Sequence, residues 1–467
     1  MNTKACISQL TQFREALYQK FNHRADTLME LVDALASNPQ ARSVVEYSLT
    51  PCFRRSYSTI FKAIAELDWE QRTLPQLLAG YLPRLAQRPF WLLGVDVSSQ
   101  PRPYAGSLAD RAMVYQPQIV KGNKPVTIGH QYSTVALLPE AETGISESWV
   151  IPLMTRRVHT QEDKEMVGAE QMDSLLQDPE LPFRQELCVE VGDSSYSKPA
   201  YLHAHRQQSN LVTLVRVRSN RRFYRQPGGD GSGVGHPSWY GEAFSLPDDA
   251  TWHPADERAT LTEVGRRGQQ YRIEIEAWHN MLMRGKRKPQ PLPMQRYPFT
   301  LVRIVRYDQV GNLACRQPLW LIVVGDQRES LTLLEIAQAY DQRFKLEHFF
   351  RFGKQKLSLV EFQTSEEQRE ENWWELVHIA YAQLWLARRA AQSLPRPWER
   401  NLPAMKTAQL SPTLVQRDWG RIIRQLGTPA QAPKLRGYSP GRAKGTRLTP
   451  CPRYPVVIKG QLRGPPP

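Results

Sequence analysis

The chain has 467 residues, 41% hydrophobic and 23% charged, enough for about three domains with a sizeable buried core. Lys and Arg number 61 against 46 Asp and Glu, a net charge of +15 that points to an acidic partner, nucleic acid or an anionic surface. The best apolar runs, at 91–95 and 319–324, fall far short of the roughly 18 residues of a spanning helix, so no membrane is expected. The start, MNTKACISQL, has no apolar signal core, and the five cysteines are widely spaced with no C-x-x-C pair. A zinc site and a disulfide framework are therefore not expected, and a reducing cytoplasm fits.

Residues 1–88 read as a helical domain. Phe13, Leu17, Phe21, Leu28, Leu31 and Leu35 recur on one helix face, Phe61, Ile64 and Leu67 begin a second, and Arg54, Arg55 and Lys62 are placed outside. At residue 89 the pattern changes. FWLLGVDVSS is a buried strand running into a loop, followed by strand candidates HQYSTVALL and SWVIPLMTRRV. QEDKEMVGAEQMDSLL is an amphipathic helix, ELCVEVGDSS a second strand-to-loop unit and NLVTLVRVRS a further strand. This mixture predicts an α/β fold in a mixed sheet flanked by helices over 89–219. Residues 220–317, rich in Gly, Pro, Arg and Trp, read as a β-rich insertion. LWLIVVGD returns to the buried-strand pattern and opens 318–395, with one long helix over about 331–352 and another over about 366–393. Residues 396–467 form a Pro/Gly-rich tail. From Trp419 onward it has ten basic residues and no acidic one, so it is expected to be poorly packed or extended. It reads as a nucleic-acid arm or as a solvated positive tail.

Three carboxylates stand out. Asp96 and Asp193 each end an apolar strand and precede two serines, and Glu347 lies in a helix beyond the insertion. An acid at a strand end is costly unless paired or bound to a cation, and ligands of open α/β sheets sit at such ends. All-oxygen donors suit Mg2+ or Mn2+. Asp followed by Ser also starts loops and caps helices, and Asp326 after LWLIVVG competes for the same role. On the later helix Tyr340, Arg343, Glu347 and Lys354 fall within an arc of about 60°, a polar stripe among Phe344, Phe349, Phe350 and Phe352. Glu347 could form no more than a surface pair with Arg351. A stripe that offers Glu347 to a metal and Arg343 and Lys354 to phosphates makes better sense of the flanking aromatics.

Tyr, two residues, Arg, three residues, Glu, six residues, Lys resembles the Y-R-E-K signature of bacterial insertion-sequence transposases, and the resemblance covers about 88–392. It implies a ribonuclease-H-like core in which Asp96, Asp193 and Glu347 form a DDE triad that holds two Mg2+ ions for cut-and-paste cleavage and strand transfer of DNA. Arg343 and Lys354 would hold phosphates, and Tyr340 would position the helix or the strand. The family further implies a homodimer pairing two terminal inverted repeats on double-stranded DNA, nucleoid-associated in the cytoplasm, with the N-terminal helices helping to bind the ends. One departure is the sequence GDSSYSKPAYL around the second acid, where many relatives carry a Gly and an aromatic closer to the Asp. The alternatives are a non-catalytic DNA-binding protein derived from a transposase, and another ribonuclease-H-like DNA nuclease.

Weaker motifs remain. Arg216, Arg218, Arg221, Arg222 and Arg225 surround Phe223 and Tyr224, and RGKRK spans 284–288; both suit phosphate contact, or are solvated basic loops. Trp239, Trp252 and Trp278 would stack on a base or fill a core, the commoner case. His203 and His205 have metal-site spacing without Cys or acidic companions. GDGSGVG lacks the Lys-Ser/Thr of a phosphate-binding loop.

Overall fold

The computed structural model describes residues 3–116, 125–142, 145–146, 148–228, 238–265, 268–285, 292–393, 410–434, 445 and 452–459. GDGSGVG, Lys286 to Lys288 and most of the tail lie outside the described residues. In chain order the elements are α1 (Thr3–Lys20), α2 (Ala25–Ser37), α3 (Tyr57–Ala65), α4 (Thr73–Leu78), β1 (Trp91–Pro101), β2 (Ala112–Tyr115), β3 (Val126–Leu137), β4 (Ile151–Val158), α5 (Lys164–Gln177), β5 (Cys188–Gly192), α6 (Pro199–His205), β6 (Leu211–Val217), β7 (Arg222–Tyr224), β8 (Ala243–Ser245), β9 (Glu257–Val264), β10 (Gln270–Met281), β11 (Phe299–Tyr307), β12 (Leu319–Val324), α7 (Leu333–Gln342), α8 (Phe344–Lys356), α9 (Glu367–Ser393) and α10 (Pro412–Leu426). The architecture is mixed α/β. No helix among the described residues is long and apolar enough to cross a membrane, and the described cysteines Cys6, Cys52, Cys188 and Cys315 are free thiols.

The chain divides into two compact units that cut across chain order. One comprises residues 1–83, 97–164 and 345–467, and the other residues 84–96 and 165–344. In the first unit α9 is the central rod. Its 27 residues span about 40 Å, and α1, α2, α3 and α10 pack against it. Trp373, Trp374 and Trp385 on α9 are almost wholly buried; each such indole is worth roughly 4–6 kcal/mol of hydrophobic transfer. A helix buried on nearly every side must neutralise its charges internally. On α9, Glu370 accepts from Arg102 at 3.1 Å and Tyr132 at 2.9 Å, with His130 at 2.7 Å. On α2, Asp33 pairs with Arg14 and Glu30 with Arg54 and Arg55. Arg54 and Arg55 also donate to the carbonyls of Ala430 and Gln431. Arg54 and Lys62 are exposed as expected, although Arg54 is also tied to Glu30, whereas Arg55 is half-buried in its ion pairs.

The tail also differs from expectation. Residues 412–426 form α10, because Val415, Trp419, Ile422 and Ile423 make an apolar stripe that is buried, and Gln416 donates to the carbonyls of Leu35 and Lys356. Residues 452–459 are extended but docked: Val457 bridges Ala112 of the edge strand β2 in parallel, and its N–H donates to Arg111 O at 2.8 Å. Composition alone cannot show that an extended, basic segment has a strand edge to pair with.

In the second unit the strands run in the order β1, β5, β6, β12, β11, β10, β9. β1 and β5 are parallel, as are β5 and β6, and every later pair is antiparallel. The parallel strands read as continuous apolar runs because both faces are buried, while the outermost β9 has no buried residue. Strands of the segment 220–317 thus extend the sheet past β12. Phe244, Trp252, Trp278 and Trp320 pack ring to ring beneath them. Trp278 is buried and donates to His253 O, so it is a core residue.

Candidate active site

The buried run of β1 ends at Asp96, but the strand does not. It continues to Pro101, with Ser98 and Gln100 buried in alternation. Asp96 therefore sits inside a strand. The last printed pair of β1 and β5 is Gly94 with Val191, and Asp96 and Asp193 each follow it by two residues, Asp193 just past the end of β5. Gly192 pairs with Val215, and the next residue of β6 is Arg216. Two acids and a cation thus follow the last paired residues where β5 ends, and the charges of Asp96 and Asp193 both act on the buried Tyr196.

Each acid is held by a different device. Asp193 caps the short helical turn Ser194–Ser197, its Oδ1 accepting from Ser195 N at 2.7 Å and Ser195 Oγ at 2.6 Å. Asp96 Oδ2 lies 3.6 Å from Arg343 Nη1, an ion pair rather than a close hydrogen bond. Arg343 is buried with its guanidinium 5.1 Å from the Phe344 ring centre. Tyr340 is buried beside it. Its phenol is pushed up to about 12, chiefly by burial and also by Asp193, against the opposing effects of Arg343 and Arg216. Asp96, Asp193, Arg216, Tyr340 and Arg343 are thus one electrostatic group within one unit.

α7, which carries Tyr340, starts with a capping box in which Thr332 and Glu335 exchange bonds. The expected single helix over 331–352 is two: α7 ends at Gln342, Arg343 occupies the junction and α8 begins at Phe344. Arg343 keeps helical dihedrals there, so the interruption is one residue wide. Glu347 and Lys354 lie on α8 and belong to the other unit, Glu347 exposed and Lys354 half-buried. Among the described residues no three His, Cys, Asp or Glu side chains already gather as a cation-holding group.

Two competitors are excluded. Asp326 is mostly exposed and pairs with Arg206 at 3.1 Å. His205 is buried against Glu190 at 2.7 Å, while the His203 ring packs on Tyr297. Glu190 also accepts from Tyr201 and from Thr213, so His205 belongs to a core carboxylate cluster, bonded through Nδ1 while its Nε2 has no hydrogen-bond partner among the described residues.

Sequence reasoning missed Tyr196. It is buried, its ring lies 3.1 Å from where a Cβ on Gly192 would stand, and its hydroxyl has no hydrogen-bond partner among the described residues. Burial, then the charges of Asp96 and Asp193, push its pKa far up. The clue was present in GDSSYS: a Gly two residues before Ser194 that makes room for an aromatic four residues later. Arg221 and Arg222 lie elsewhere in the same unit, at the start of β7. They line an open groove of about 530 Å3 with Tyr224 and Arg284.

Residues 16–285, more than half of the chain, match the sequence model of the family described as DDE superfamily endonuclease. The match includes Asp96 and Asp193 and stops before Glu347. No curated protein matches the chain.

Proposed function

Because the chain belongs to the DDE superfamily endonuclease family, a nuclease family whose substrate is DNA, we propose that it is a transposase that cuts and rejoins DNA at the ends of an insertion sequence. The observation that carries this reading is the electrostatic group of Asp96, Asp193 and Arg216 just past the paired ends of β1, β5 and β6, with Tyr340 and Arg343 beside it. A ribonuclease-H-like core is supported by the pairing of β3 with β4 antiparallel and of β1, β5 and β6 in parallel. The Y-R-E-K spacing of Tyr340, Arg343, Glu347 and Lys354 favours a transposase over another nuclease of this core.

The donors fit a hard divalent cation. Asp96 and Asp193 are neighbouring half-buried oxygen donors, and Asp193 Oδ2 takes no hydrogen bond among the described residues. Glu347 is the third acid in this proposal, on the strength of its spacing from Arg343. When bound, Mg2+ or Mn2+ would supply an activated oxygen nucleophile and charge stabilisation at the phosphorus. The chain's own groups do the rest. Ser195 fixes the carboxylate of Asp193, and Arg343 restrains that of Asp96. The buried Tyr340 phenol stays protonated and keeps Arg343 packed against the acids. Arg216 presents a cation to an incoming phosphate, while Lys354 adds a second from α8. The N-terminal helices, pairing of two ends in a dimer and a tail that contacts DNA complete the proposal. The test is nicking of an end-bearing duplex in Mg2+ by the wild type and by Asp96→Asn, Asp193→Asn and Glu347→Gln. Retained DNA binding with no nicking by the wild type would favour a non-catalytic descendant instead.

A further inference from the structure

We infer that Arg216, Arg218, Arg222 and Arg284 form a track that holds the phosphodiester backbone of DNA leading away from the Asp96–Asp193 pair into the groove at β7. This rests on the DNA-cleaving reading of that pair. Past Val215 the strand β6 alternates: Arg216 is exposed, Val217 buried, Arg218 exposed. Both arginines therefore leave the same face, about 6.6 Å apart along the strand. The chain then turns, with Arg221 N–H donating to Arg218 O at 3.2 Å, and enters β7 at the exposed Arg222. Tyr224 and Leu282 exchange backbone bonds of 2.9 and 2.7 Å. That pairing brings Arg284 to the same groove, whose wall includes Asn220, Arg221, Arg222, Tyr224, Met283 and Arg284 and, among the described residues, no carboxylate.

The aromatic in this groove decides between base and backbone. The Tyr224 ring carries the Arg284 guanidinium 5.3 Å from its centre and the Tyr240 ring at 4.9 Å. It is 9% exposed, so it positions a cation rather than offering a free face to a base. Guanidiniums spaced along a strand and a turn, with no acid among the described groove residues, match a repeating anion. Burial together with Arg218 lowers the pKa of Arg221, as expected where cations crowd.

The test is the salt dependence of binding to a fluorescein-labelled 30-base-pair duplex, by anisotropy, in EDTA and rising KCl. Arg222→Ala/Arg284→Ala removes two exposed cations of the track. Arg258→Ala/Arg272→Ala removes the same charge from β9 and β10, where each arginine is paired with a glutamate. The track variant is expected to flatten the plot of log K against log [KCl] by about 1.8, roughly 0.9 for each phosphate that is no longer neutralised. The control keeps the wild-type slope. An unchanged slope in the track variant with native circular dichroism, or an equal flattening in the control, overturns the track. Asp193→Asn separates this from the catalytic reading: it should keep the slope and lose Mg2+-dependent nicking. If Asp193→Asn nicks like wild type while the track variant is flattened, the track stands and the site assignment falls.

Discussion

Asp96 and Asp193 each lie two residues beyond the Gly94–Val191 pair, Asp96 within β1 and Asp193 just past the end of its parallel neighbour β5. Both charges act on the buried Tyr196, so the acids are neighbours before any ligand arrives. Like charges so placed repel, and Arg343 at 3.6 Å from Asp96 offsets part of that repulsion.

Arg343 should therefore be sensitive to shape as well as charge. Arg343→Lys keeps the cation but loses the planar fork that packs on Phe344. Nicking of an end-bearing duplex should slow by about tenfold to a hundredfold, and Arg343→Ala by more. Equal rates for Lys and Arg would show that charge alone suffices.

Tyr196 separates packing from polarity. Its ring fills the space over Gly192, but its buried hydroxyl is unsatisfied among the described residues. Tyr196→Phe should be neutral or stabilising by up to about 1 kcal/mol, whereas Tyr196→Ala should cost about 3–5 kcal/mol. Urea unfolding of both variants measures this, and a large loss in Tyr196→Phe would mean that the hydroxyl is bonded in solution.

The cap of α7 should be worth a measurable amount. Thr332→Ala removes the acceptor for Glu335 N–H and the donor to Glu335, and should cost about 1 kcal/mol in the same assay. Because α7 carries Tyr340, nicking should weaken with stability; a variant as stable as wild type would deny the cap its role.

His378 sets part of the acid limit. It is buried on α9 against Phe349 and Trp374, and burial pushes its pKa down to about 3. The folded chain keeps it neutral while the unfolded chain protonates it below about 6.5. The unfolded state thus binds more protons as pH falls from about 6.5 to 3, and stability drops by up to about 1.4 kcal/mol per pH unit. His378→Phe should flatten the stability profile between pH 6 and 4. Parallel profiles for the two proteins would contradict this origin.

Much of the site was legible because it depends on local pattern. Apolar runs ending at Asp96 and Asp193 marked two strands, which the sheet makes neighbours, and the helical spacing linked Tyr340 to Arg343. What was not legible depends on pairing between distant segments. Arg216 comes beside the acids only because β6 pairs with β5 up to Val215, Arg55 is drawn inward by Glu30, and Arg284 reaches its groove through the Tyr224–Leu282 bridge. The single-residue break at Arg343 has no Pro or Gly to announce it, and the apolar stripe of α10 is masked by the basic, Pro/Gly-rich composition around it.

Three acids from separate parts of the chain are proposed to act in one metal-dependent DNA cleavage. Its most direct measurement is single-turnover nicking of a labelled duplex bearing the element's terminal repeat, in Mg2+, by wild type, Asp96→Asn, Asp193→Asn and Glu347→Gln. The prediction is a loss of at least about 100-fold in each variant, with duplex binding retained. Nicking at the wild-type rate by any one of them would remove that residue from the site, and by all three would refute the assignment.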